Sequence, residues 1–358
     1  MSPGPAAPDL PDLFLCRDGT RIHSAQDWPR RRQEILDIVL TQEYGPLPVV
    51  PVTLRCDTLH VATVRRMHHA RLLTCRIDMG PIAGFMLRLF LPVGAGPFPV
   101  VLSGDGCWHY ASDAVITSVL QRGYAFAQFN RVELAPDPPV PARAHDGARG
   151  SEPSHFAIAT WAWAYHRAID ALQQIAQLDT TRIAVVGHSR GGKASLLAGA
   201  TDSRITLTSA NNSGAGGAGC WRSGGPGAET LAGITQAFPH WFSPSLAHYA
   251  GRERELPFDQ HFLKALVAPR ALLTTEARGD LWANPEGTWQ THLAASEVYR
   301  LLDNEHAIAV VYREGGHDHH PADWDVFLDH CAVAFSGAPR HVSGAAPTGP
   351  AGPSRDRY

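Results

Sequence analysis

The spacing of apolar positions changes period along this chain. In DWPRRRQEILDIVLTQEYGPLP (27–48), Ile35, Ile38, Val39 and Leu40 recur at a spacing a helix can use, and Gly45 and Pro46 end the run, which predicts an early helix. The next runs, VTLRCDTLHVATV, HARLLTCRIDM and AGFMLRLFLPV, are rich in β-branched and aliphatic residues, alternate in part with polar ones, and are separated by turn-formers. They predict antiparallel strands that lead into a sheet.

From residue 98 the order becomes strand, helix, strand. FPVVLSGDG and GYAFAQFN are short apolar runs suited to strands buried on both faces, and ASDAVITSVLQRG between them has helical length and stops at Gly123. TWAWAYHRAIDALQQIAQ places Trp161, Tyr165, Ile169, Leu172 and Ile175 on one helical face ahead of the strand TRIAVVG. PRALLTTE and AIAVVYRE repeat the buried-strand signature, with the helical WQTHLAASEVYRLL between them. This alternation predicts an α/β fold with a mostly parallel central sheet, helices on both faces and antiparallel strands at the N-terminal edge.

Residues 131–156 and 211–250 are long, Pro- or Gly-rich and without period, and are expected as loops on a binding face. The organisation expected is an N-terminal extension (1–20), one catalytic domain (21–336) and a tail (337–358) too poor in apolar residues to offset its ordering entropy.

Composition narrows the partners. A formal charge of −3, with 44% hydrophobic and 18% charged residues, gives no basic footprint for nucleic acid, so a small molecule or neutral polymer is expected. No run of 18 apolar residues occurs, and the N-terminus lacks a basic stretch followed by an apolar one. The sequence as it stands is therefore expected to be cytoplasmic, or secreted or periplasmic if a leader was removed. Cys16, Cys56, Cys75, Cys107, Cys220 and Cys331 show no C-x-x-C spacing and are expected as free thiols.

The candidate chemistry begins at AVVGHSRGGKAS (184–195). A serine hydroxyl is a weak nucleophile unless a turn exposes it, a base adjoins it and donors await the oxyanion. G-x-S-x-G between an apolar strand and a small-residue helix supplies that turn, with Ser189 at its apex. Partners follow in the order acid, then histidine: Asp280 after PRALLTTE and His317 after AIAVVYRE, both at strand carboxyl ends on the face that carries Ser189. His317 is then the base and Asp280 the group that orients it.

Arg190 follows the nucleophile and is a candidate oxyanion donor through its N–H and guanidinium, the alternative being a helix salt bridge. The loop GDGCW (104–108) offers a second set of backbone donors. His317, Asp318, His319 and His320 are ligand types, but adjacent side chains rarely converge on one ion and no H-E-x-x-H helix accompanies them, so neither metal nor other cofactor is expected.

These residues resemble the glucuronoyl esterases, carbohydrate esterase family 15 of the α/β-hydrolase superfamily, whose elbow reads G-C-S-R-x-G-K. Here it stands as Gly187-His188-Ser189-Arg190-Gly191-Gly192-Lys193, and the similarity continues through AGATDSRITLTSANNSGAGGAGCWR, YGPLP, WAWAYHRAIDAL, ELPFDQHFLKALVAPRALL, DLWANPEGTW and GGHDHHPADW. The resemblance implies an esterase of 4-O-methyl-glucuronic acid esters, as between glucuronoxylan and a lignin alcohol. It implies Ser189 as nucleophile, His317 as base, Arg190 as oxyanion stabiliser, and Lys193 and Trp289 as sugar contacts. The family position that often carries the acid is Asn212 here, which leaves that role to Asp280. His188 and Asp318 replace the cysteines of the fungal pattern, so that disulfide is absent. Two alternatives stay open: an esterase of other small or acetylated-sugar esters on the same triad, and a non-catalytic carbohydrate-binding relative.

Overall fold

A computed structural model describes residues 9–49, 53–80, 82–107, 111–137 and 156–336. The tail expected to be disordered, the first residues of the N-terminal extension and most of the 131–156 loop lie outside the described residues.

In chain order the elements are α1 (Trp28–Val39), β1 (Arg55–Val64), β2 (Ala70–Met79), β3 (Ile82–Leu91), β4 (Phe98–Ser103), α2 (Asp113–Gln121), β5 (Ala125–Phe129), α3 (Ala157–Leu172) and β6 (Leu178–His188). There follow α4 (Arg190–Thr201), β7 (Leu207–Asn211), α5 (Leu231–Ala237), α6 (Pro244–Ala247), α7 (Gln260–Val267), β8 (Ala271–Ala277), α8 (Pro285–Leu301), β9 (Ile308–Arg313) and α9 (Pro321–Ser336).

The strands form one sheet in the order β1-β2-β3-β5-β4-β6-β7-β8-β9. β1, β2 and β3 pair antiparallel, as does β3 with β5; every pair from β5 to β9 is parallel. This is the mostly parallel sheet with antiparallel N-terminal strands expected from the apolar pattern, and the α/β-hydrolase arrangement that the resemblance implies. Strand periodicity of two then splits the core: Val100, Leu102, Ile183 and Val185 pack on one side with α1, α3, α4 and α7, while Val101, Ala184 and Val186 pack on the other with α2 and α9.

The early helix stops at Gly45 as expected, α1 continuing after Val39 as a wider turn over Leu40–Tyr44; Gly45 has φ 79°, and a side chain there would collide with the Phe156 ring. Two local expectations change. α3 is buried around nearly its whole circumference rather than on one face, and it ends at Leu172, before Ile175. It is a core helix sandwiched between the sheet and the segment that contains Trp241. Residues 211–250 are not simply surface loop: residues 211–221 are buried, and α5 and α6 follow. Their small residues let the chain pass beneath the cleft described next.

Candidate active site

Ser189 sits between β6 and α4 with φ 55° and ψ −124°, a conformation that costs a non-glycine residue about 1–3 kcal/mol and persists only where neighbours enforce it. The enforcement is visible. Ser189 N–H donates to Asn211 O at 2.9 Å, Lys193 N–H donates to Ser189 O at 3.1 Å, and His188 N–H donates to Asp105 Oδ2 at 2.8 Å. The flanking glycines are needed for space: a Cβ on Gly187 would lie 2.2 Å from Gly191 O, and one on Gly191 would strike the Asp105 carboxylate.

Asp105 thus braces the elbow from β4, with its other oxygen bound by the buried Arg131 guanidinium, which lies against the Trp161 ring. This narrows the expectation that the loop 104–108 offers oxyanion donors, of which Trp108 lies outside the described residues. The N–H groups of Gly104, Asp105 and Gly106 are taken by Tyr165 Oη, Ser103 Oγ and Phe129 O respectively.

The catalytic candidates converge. Ser189 Oγ lies 2.9 Å from His317 Nε2, and His317 Nδ1 lies 2.5 Å from Oδ2 of buried Asp280. An ionised Asp280 accepts only, so Nδ1 carries the proton and Nε2 receives from the serine. Asp280 is supported by the N–H of Ala283 at 3.4 Å, and the two loops are tied by Gly279 N–H donating to Gly315 O. Arg313 holds the histidine loop through Asp318 and Asp323.

Asn212, also with positive φ, lies in the adjoining backbone. It accepts from Ala277 N–H at 2.8 Å and donates to Asp318 O at 3.2 Å, so it joins the ends of β7 and β8 to the histidine loop. The histidine cluster diverges: His319 stacks between His188 and Trp324, and His320 Nδ1 accepts from Ala322 N–H.

Arg190 opens α4. Its guanidinium donates to Asp137 Oδ2 at 2.6 Å and lies 4.8 Å from the centre of the Trp241 ring and 5.1 Å from that of Phe238. Asp137 is buried, which alone would raise its pKa, but hydrogen bonds from His240, Trp241 and Arg190 outweigh burial and hold its carboxyl down to about 2. It is a fixed negative partner at any working pH.

Two cavities meet at Ser189, Arg190 and His317 and share only these residues. One, of about 330 Å³, is lined by Lys193, Ser213, Glu229, Trp241 and Trp282 among others. Lys193 is buried with its ammonium on Ser213 O and Ala215 O and 3.6 Å from Glu229. Burial lowers the lysine pKa and raises that of Glu229, each opposed by the other's charge.

Trp289, expected to contact sugar, lines neither cavity. It lies in α8, stacked on His292 at 5.5 Å, whereas Trp282, 55% exposed, stands at the cleft. The cause is local. Asp280 begins a short turn over Leu281–Ala283 that keeps Trp282 beside the triad, and α8 then carries the chain past Trp289. Sequence reasoning also missed Asp105, Asp137 and Glu229. Only Asp105, a carboxylate at the end of an apolar strand, left any signal.

A strained serine elbow with its histidine and buried acid is shared by many hydrolases, so comparison with known proteins decides the family. A model described as fungal glucuronyl esterase matches residues 78–303. The 4-O-methyl-glucuronoyl methylesterase 1 of Phanerochaete chrysosporium is 32% identical over 88% of this chain and 67% of its own length. The chain belongs to the glucuronoyl esterases. Members of this family with solved structures share its fold. The glucuronoyl esterase from Solibacter usitatus superposes with TM-score 0.79 at 28% identity, covering 91% of this chain and 97% of that one. A serine-to-alanine variant of the enzyme from Sporotrichum thermophile, solved with methyl 4-O-methyl-β-D-glucopyranuronate, gives TM-score 0.74 at 26% identity, covering 92% and 88% respectively. Glucuronoyl esterases are carboxylic ester hydrolases. Among the described residues of this one, no helix is long and apolar enough to cross a membrane.

Proposed function

We propose that the protein hydrolyses esters of 4-O-methyl-glucuronic acid, on small molecules or oligosaccharides, through an acyl-enzyme on Ser189. The ester between glucuronoxylan and a lignin alcohol is the natural linkage this reading assigns. The observation that carries it is the Ser189–His317–Asp280 relay opening onto a cleft that combines a buried lysine, a carboxylate and an exposed tryptophan. Such a cleft suits a polyhydroxylated ring: an aromatic face for its C–H groups and charged partners for its hydroxyls.

His317 Nε2 removes the Ser189 proton as Oγ attacks the ester carbonyl, and Asp280 stabilises the imidazolium that forms. The oxyanion develops at the N-terminus of α4, where the Arg190 N–H, the helix dipole and the guanidinium supply positive potential. The imidazolium returns its proton to the leaving alcohol. Water then attacks the acyl-enzyme with His317 again as base, releasing the uronic acid.

Lys193 and Glu229 contact the sugar from below. At 3.6 Å their separation exceeds a hydrogen bond, which leaves one ammonium N–H for a ring hydroxyl that Glu229 can also meet. Trp282 takes the sugar-facing role first assigned to Trp289.

Comparing kcat/KM on methyl 4-O-methyl-glucuronate and on 4-nitrophenyl acetate tests the assignment. Preference for the uronate supports it; strong preference for the acetate refutes it in favour of a general esterase.

A further inference from the structure

The second cavity, of about 250 Å³, lies on the α2 and α9 side of the sheet and is lined by Ser103, Gln128, His188, His319 and Trp324 as well as the shared residues. An ester seated on Ser189 must place its acyl group to one side and its alkoxy group to the other, with the alkoxy oxygen within reach of His317 Nε2. With the uronate in the lysine cleft, a role that rests on the function proposed above, this cavity remains for the alcohol.

Its construction is specific. One wall is a row of rings: His188 stacks on His319 at 5.6 Å and 17°, and His319 stacks on Trp324 at 4.7 Å and 24°. Trp324 is fixed edge-on against Phe126 and Phe327, and His188 Nδ1 lies 2.6 Å from Asn211 Oδ1. The floor is polar. Gln128 on β5 is 4% exposed and stands in the apolar run AFAQF, where alternation turns it toward the α2 and α9 side with Phe126. Its amide has no hydrogen-bond partner among the described residues, and Gln128 lines this cavity. A buried amide left unpaired is unfavourable, an arrangement a bound ligand relieves. Ser103 Oγ beside it accepts only a long bond, 3.3 Å, from Asp105 N–H.

We infer that this cavity is the leaving-group subsite, that it takes one flat ring, and that Gln128 selects alcohols whose ring carries a hydroxyl or ether oxygen on the far side from the ester. The size agrees: a cavity of roughly 150 Å³ holds a bare benzene ring, so this one has room for a ring and its substituents. Gln128 can donate to an ether oxygen or accept from a hydroxyl, so it favours an oxygen substituent over none without fixing which.

The test uses the full chain and three esters of glucuronic acid, methyl, phenethyl and para-hydroxyphenethyl, whose alcohols differ little in acidity, so rate differences report binding of the alcohol. In the wild type, kcat/KM should rise in that order. Gln128→Leu should cut the ratio of para-hydroxyphenethyl to phenethyl ester about five- to tenfold, the range of one buried hydrogen bond. His319→Ala, at a part-exposed loop position, should lower the ratio of both aryl esters to the methyl ester. A variant that merely folds poorly would slow all three esters together and leave the ratios alone. Equal wild-type rates on the two aryl esters, or ratios unmoved by both substitutions, overturn the assignment. If no glucuronate ester is hydrolysed, it is the proposed function that fails. The same three alcohols as acetates then judge the subsite alone: the same order supports it and a flat series overturns it.

Discussion

Asp280 Oδ2 lies 2.5 Å from His317 Nδ1, while Asn212, beside the same loop, is committed to Ala277 N–H and the Asp318 carbonyl. We therefore assign the acid to the end of β8 and not to the turn after β7. Asp280→Asn should lower kcat by about 10³- to 10⁴-fold with KM little changed, because the amide holds the wrong imidazole tautomer. Asn212→Ala should cost about 1–3 kcal/mol of stability, since it strips a buried N–H of its acceptor, but far less kcat. Steady-state kinetics and denaturant unfolding separate the two, and equal kcat losses would contradict this division of labour.

Arg190 is held rigid by Asp137 and two aromatic rings. A positive charge that acts on the oxyanion should appear in kcat, so Arg190→Met is expected to reduce kcat about 10²-fold or more. Asp137→Asn keeps the charge and loosens its position, and should cost less. Because Asp137 is held down to about 2, neither effect should vary between pH 5 and 9. A wild-type kcat for Arg190→Met would leave the oxyanion to backbone N–H groups alone.

The tryptophans make a paired test. Trp282→Ala should raise KM for methyl glucuronate several-fold, whereas Trp289→Ala should leave KM unaltered, because only the former lines the cleft. The opposite result would restore the role first read from the sequence.

Glu276, buried beneath α8 with one oxygen bonded by Thr288 and the other unpartnered, has its pKa raised to about 8 by burial. The folded state keeps this proton while the unfolded chain releases it near the usual carboxylate value. The native state thus binds more protons between about pH 4.5 and 8, and this group makes stability fall as pH rises through that window. Glu276→Gln removes the dependence. The melting temperature of the variant relative to wild type should climb steadily from pH 5 to pH 8; a constant difference would show that Glu276 is ionised throughout.

Most of the parallel half of the sheet was readable because β4, β5, β6, β8 and β9 carry short apolar runs; β7 escaped because its buried run, LTSAN, is largely polar, and the triad candidates could be named because they fall at strand ends in a fixed order. What escaped depends on strand adjacency or on local turns. Asp105 braces Ser189 only because β4 lies beside β6 in space. Trp282 and Trp289 differ by whether the chain is still in the turn after Asp280 or already in α8, and boundaries of that kind carry little sequence signal. Glu229 sits in a stretch with no period at all. Gln128 did interrupt an apolar strand, a polar residue at a core position that a ligand site explains.

The most direct measurement is release of acid from methyl 4-O-methyl-glucuronate, followed by pH-stat for the wild type and for Ser189→Ala with unchanged circular dichroism. The account requires saturable hydrolysis by the wild type and a loss of about 10⁴-fold or more in the variant. Hydrolysis that survives in Ser189→Ala, or a folded wild type without activity on this ester, would contradict it.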